Sequence, residues 1–108
     1  MPYIAPKDRK QFDPLVDRLA EQIIKEAKEH KYDGAFAGLI NYVCTRLTLK
    51  VIKLLFGQIR YWIIATVVGT FNNIAEEFYR RLGIPYEEKQ IKKSGDVDLY
   101  KEFEKELK

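Results

Sequence analysis

Between Asp33 and Glu76 the chain has no carboxylate, and for fifteen residues, Tyr61 to Ala75, it has no charge of either sign. Few sequence features restrict a fold more. As a helix, that run is too short to cross a hydrocarbon core of about 30 Å, and it contains Asn72 and Asn73. It reads instead as a helix covered on most sides, either by other helices of the chain or by a second subunit. The remainder is ordinary for one globular domain: 108 residues, 46% apolar and 32% charged, which excludes a wholly disordered chain.

Helical periodicity carries the fold class. Leu15, Val16, Leu19, Ile23, Ile24 and Ala27 recur at three and four residues and predict a one-sided helix over about 14–30. Asp13-Pro14 reads as its N-cap followed by proline at the first helical position. Lys28, His30 and Lys31 place positive charge in its last turn, and Tyr32-Asp33-Gly34 closes it. Residues 1–12, with Pro2 and Pro6, read as an irregular arm. A second helix is predicted over about 35–56, with Phe36, Leu39, Ile40, Val43, Leu47, Val51 and Leu54 in one stripe. Gly57 marks the turn to a third, about 58–82, whose buried stripe is Ile63, Val67, Phe71, Ile74, Phe78 and Leu82. Gly83 and Pro85 supply its stop. Residues 84–98 read as a polar segment with a turn at Ser94-Gly95-Asp96, and Leu99, Phe103 and Leu107 predict a short C-terminal amphipathic helix.

The expectation is an all-α fold: a three-helix core plus a short C-terminal helix, with one domain over 1–98 and an extension over 99–108. Tyr61, Trp62, Ile64, Val68 and Tyr79 fall outside the main stripes. Apolar surface beyond what one first helix can cover predicts a homodimer or higher symmetric oligomer that completes the bundle.

Charge is unevenly placed. Residues 1–34 hold seven basic and seven acidic side chains, and residues 84–108 hold six and seven. Residues 35–83 hold six and two, so the centre carries +4 between nearly neutral flanks. Arg46, Lys50 and Lys53 are spaced four and three apart, hence one helical stripe, with Tyr42 one turn before Arg46. Trp62, Thr66, Gly69 and Asn73 line one side of the third helix, a line that ends at Arg80. Cations for phosphates and Tyr42 or Trp62 for stacking suit an anionic, nucleotide-sized ligand, with Tyr42, Arg46, Lys50, Trp62, Thr66, Asn73 and Arg80 as the candidate site. The same residues also fit a solvated helix edge, and Thr66, Gly69 and Asn73 a close helix contact.

Catalytic readings are poorer. Ser94 has no histidine near it in sequence, and Cys44 reads as a small hydrophobe inside a helix. The glycines are scattered singly, which excludes a phosphate loop. Acid pairs in the manner of helical, metal-dependent nucleotide pyrophosphatases are Glu26/Glu29, Glu76/Glu77 and Asp96/Asp98, but basic neighbours mark the first two as surface pairs. One histidine and one cysteine argue against zinc and against a disulfide framework. Met1 to Pro14 has no apolar run, so no signal peptide is expected. A net charge of +3 is weak beside the basic face of a duplex binder.

Several blocks together resemble a small helical family of unknown function carried by bacterial, archaeal and phage genomes. They are Met1-Pro-Tyr-Ile4, Asp8-Arg-Lys10, Phe12-Asp-Pro-Leu15, Asn41-Tyr-Val43, Thr45-Arg-Leu47, Glu77-Phe-Tyr-Arg-Arg81, Pro85-Tyr-Glu87, Lys89, Ile91 and Gly95-Asp-Val97. The resemblance spans roughly 1–98 and is specific in combination. It places acidic residues where this chain has Leu39 and Asn72, so carboxylate chemistry is not carried over.

The functional expectation is therefore a non-enzymatic, homo-oligomeric, cytoplasmic binding module without cofactor or metal, whose ligand is anionic and nucleotide-like. In a phage it would act as a sponge for an immune signal. The alternative is a protein–protein interaction or structural protein acting through its C-terminal helix and cationic stripe. The pyrophosphatase is a lesser third. No specific nucleic acid and no membrane partner is expected.

Overall fold

The computed structural model describes residues 2–108, which are helical almost throughout and include no strand. Helix α1 spans Pro6–Glu29, α2 Ala35–Phe56 and α3 Tyr61–Phe78; a π-helical turn, Tyr79–Gly83, leads into α4, Ile84–Ser94, and α5 spans Asp98–Glu106. The all-α expectation holds. The chain divides into two compact units, one ending at Gly69 and the other running from Thr70 to Lys108, so the boundary falls within α3.

In the first unit α1 packs on α2. Helix α1 starts at Pro6, eight residues before the expected start, so the irregular arm is shorter than the prolines suggest. Pro6 occupies the first turn, where a missing N–H costs no hydrogen bond. Arg9 Nε donates to the Ile4 carbonyl at 2.8 Å and ties the arm to the helix. Asp13-Pro14 is not an N-cap: Pro14 stands inside the helix. It deletes one backbone bond, and on so exposed a helix water can satisfy the freed carbonyl. Helix α2 ends at Gly57 in the left-handed conformation, φ +79°, with its N–H bonded to the Lys53 carbonyl at 3.0 Å. This is the turn expected at Gly57, and a side chain there would be strained.

Burial in this unit is shallow. Ala35 and Ile63 alone are buried among the described residues. Ile23 and Ala27 of α1 and Leu39, Val43, Thr48 and Ile52 of α2 are half-buried. The inner face of α2 is thus turned by about one residue from the predicted stripe, and Phe36, Leu47, Val51 and Leu54 are exposed. An apolar helix with so few charges offers more than one face to a partner, so periodicity does not choose between them.

In the second unit the expected stop at Gly83 and Pro85 does not stop the helix. Gly83 has φ −68°, an ordinary helical value, and Pro85 falls in the first turn of α4. Residues 84–94 are therefore helix, not the polar loop expected. The wide turn at Tyr79–Gly83 has a local cause. The Tyr79 ring lies against Gly83, where any Cβ would run into it. The Tyr79 hydroxyl donates to Glu87 Oε1 at 2.6 Å, bridging the π turn to α4. Gly95, at φ +89°, ends α4 with its N–H on the Ile91 carbonyl, at the turn read from Ser94-Gly95-Asp96. The predicted C-terminal helix is present as α5. Phe71, Ile74, Phe78 and Leu82, expected inside, are exposed, as are Leu99, Phe103 and Leu107.

The Glu87 carboxylate, as acceptor of the Tyr79 proton, holds the phenol above its ordinary value of 10.0. The folded state therefore binds this proton more tightly than the unfolded chain does. Its contribution to stability is complete below the unfolded value and is lost as pH rises through the higher folded one. Urea midpoints measured at about pH 8 and about pH 11 should fall further for the wild type than for Tyr79→Phe.

Candidate functional site

Tyr42, Thr45, Arg46, Leu49, Lys50 and Lys53 line an open groove of about 360 Å³ along α2. The spacing from Tyr42 through Arg46 and Lys50 to Lys53 keeps them within one stripe of the helix. The groove therefore carries three cations and an aromatic ring, and no carboxylate lies among its lining residues. Thr45 Oγ1 donates to the Asn41 carbonyl at 2.7 Å, so its hydroxyl is held by the helix itself. Lys53 Nζ donates to the Gly57 carbonyl at 3.0 Å, which engages it in capping α2. Arg46 and Lys50 make no ion pair among the described residues.

A second groove of about 320 Å³ lies between α2 and the start of α3. Leu47, Val51, Ile52, Phe56, Trp62 and Val67 form its apolar walls, with Thr48 and Thr66 as the polar members. Trp62 meets Phe56 edge to face, ring centroids 5.3 Å apart and planes at 85°. Thr66 Oγ1 donates to the Trp62 carbonyl at 2.7 Å.

The sequence-predicted site therefore divides. Tyr42, Arg46 and Lys50 share the cationic groove, while Trp62 and Thr66 belong to the apolar one. Asn73 and Arg80 lie in the second unit, where Arg80 is ion-paired with Glu77. A methyl at Gly69 would meet nothing within 4 Å. Sequence reasoning missed Thr45 and Leu49, which complete the cationic groove at positions three and seven after Tyr42. That helical spacing was the available signal.

Among the described residues no group of three or more His, Cys, Asp or Glu is placed to hold a metal ion. No described helix is long and apolar enough to cross a membrane. In class this is an all-helical protein with a cationic groove along α2 and an apolar groove between α2 and the start of α3. The chain belongs to the family described as a domain of unknown function (DUF6899), whose model matches residues 1–97. Helix α5 lies beyond the matched residues. No curated protein and no solved structure matches the chain.

Proposed function

We propose that the protein is a homo-oligomeric, non-enzymatic binding module that holds an anionic, nucleotide-sized ligand in the α2 groove. The observation that carries this reading is the convergence of Arg46, Lys50 and Lys53 beside Tyr42, with no lining carboxylate to neutralise them. A volume of about 360 Å³ falls in the range of small-ligand sites. Guanidinium and ammonium groups hold phosphate oxygens, and the phenol ring offers a stacking face for a base. Arg80 is ion-paired with Glu77 and is not among the residues that line this groove.

The oligomeric half of the reading is supported by the apolar side chains that α2 leaves exposed, Leu47, Val51 and Leu54 among them.

A thermal-shift screen across nucleoside mono-, di- and triphosphates and dinucleotides tests the ligand half. A ligand of the folded state at a hundred times its Kd contributes about 2.7 kcal/mol, a rise of several degrees in Tm. If no nucleotide and no inorganic polyphosphate moves Tm at millimolar concentration, the anionic-ligand reading fails.

A further inference from the structure

We propose that the α2 groove takes nucleoside triphosphates and ranks its ligands by the length of their phosphate chain, not by their base. The inference rests on the anionic-ligand reading of this groove and adds the ligand class. The groove offers one ring and three cations, which stand in order along a single helix. At about 1.5 Å of rise per residue, Arg46 lies about 6 Å along the axis from Tyr42, Lys50 about 12 Å and Lys53 about 16.5 Å. The ring is therefore at one end, and all the positive charge lies to one side of it. A ligand matched to that order carries one base at an end and a run of negative charge leading away from it. A nucleoside triphosphate is built that way. A cyclic dinucleotide sets two bases against two phosphates in a closed ring, and a single strand supplies a base for each phosphate. One ring beside three cations matches neither.

The charge is open to a ligand. Arg46 and Lys50 are exposed and make no ion pair among the described residues. Lys53 donates to the Gly57 carbonyl, which neutralises none of its charge and leaves the other ammonium protons to a ligand. It holds a fixed positive charge at the end furthest from Tyr42. Nothing in the lining reads a base edge: no Asn, Gln, Asp or Glu is among the groove residues, and the Thr45 proton is given to the Asn41 carbonyl. Stacking on the Tyr42 ring accepts any base, because every base has a π face. Selectivity is left to the phosphates. Arg46 stands nearest the ring and meets the first phosphate of every ligand, whereas Lys50, one turn further, meets only a longer chain.

Isothermal titration of the full chain in EDTA, which keeps magnesium off the phosphates, compares AMP, ADP, ATP, GTP, inorganic triphosphate, cyclic di-AMP and an oligothymidylate. The expected result is affinity rising about tenfold from AMP to ADP and again to ATP, with GTP within a few-fold of ATP. Lys50→Ala should cut the ATP-to-AMP ratio about tenfold and leave AMP unchanged. Tyr42→Ala should bring ATP down to the affinity of inorganic triphosphate, whose own binding it leaves as it was. If none of the phosphates binds, the anionic-ligand reading falls and this proposal with it. Affinity that does not rise from AMP to ATP would overturn this proposal alone. So would cyclic di-AMP or the oligothymidylate binding more tightly than ATP, or a Lys50→Ala variant that loses AMP and ATP equally. Should Lys50→Ala fail to fold, the wild-type ranking decides.

Discussion

Arg46→Ala is expected to weaken binding of a phosphorylated ligand about thirty-fold, with helix content and oligomer mass unchanged. Arg46 lies at the centre of the cationic groove, between Tyr42 and Lys50, and has no protein anion to satisfy it. A charge-assisted contact to a phosphate that the groove partly desolvates contributes about 2 kcal/mol, which is that factor. Arg46→Lys should recover only part of the loss, because an ammonium cannot make the two-pronged contact of a guanidinium. Isothermal titration with the nucleotide that gives the largest thermal shift measures all three proteins. If Arg46→Ala binds like the wild type, the cations of α2 are a solvated helix edge. If it dissociates or unfolds the protein, Arg46 is a structural residue.

The second large effect is on stability. The Tm of the protein should climb with its own concentration, by about 3 °C for each tenfold increase if the folded species is a dimer. A chain whose only buried residues among those described are Ala35 and Ile63 has little core of its own. On the proposed homo-oligomer reading, association supplies most of the apolar burial that offsets conformational entropy, and mass action then links unfolding to subunit concentration. Scanning calorimetry across a hundredfold range of concentration should show a shift of about 6 °C. A constant Tm would mean that the single chain is stable as it stands.

Periodicity made α2, α5 and most of α3 legible, because their apolar residues repeat at helical spacing and Gly57 ends α2 as glycine ends many helices. The proline signals misled. Pro6 and Pro14 lie in one helix, since a first-turn proline costs nothing and an interior one on an exposed helix removes a single bond. Gly83 followed by Pro85 is the same signal for a helix stop and for a helix that restarts. What separates them is the Tyr79 ring lying against Gly83, a contact between residues four apart that no composition rule encodes. The cationic groove was legible because its residues share one helix. Trp62 and Thr66, read together with it, line the apolar groove instead, because spacing along a helix does not say which neighbouring helix supplies the opposite wall.

The π turn at Tyr79–Gly83 also sets the phase of α4. A π turn takes one residue more than an α turn, and each residue of helix advances the side chains by about 100°. Deleting one residue from this turn would leave a continuous helix, so circular dichroism would hardly register the change. Because the wider turn covers with five residues about the rotation that four would cover in an α-helix, the faces of Ile84–Ser94 would keep their direction against Thr70–Phe78. The turn thus absorbs one residue without shifting the reading frame of helix faces. A sequence alignment with a relative that lacks this residue keeps that frame only if its gap falls within Tyr79–Gly83; a gap placed elsewhere would match residues about 100° apart on α4.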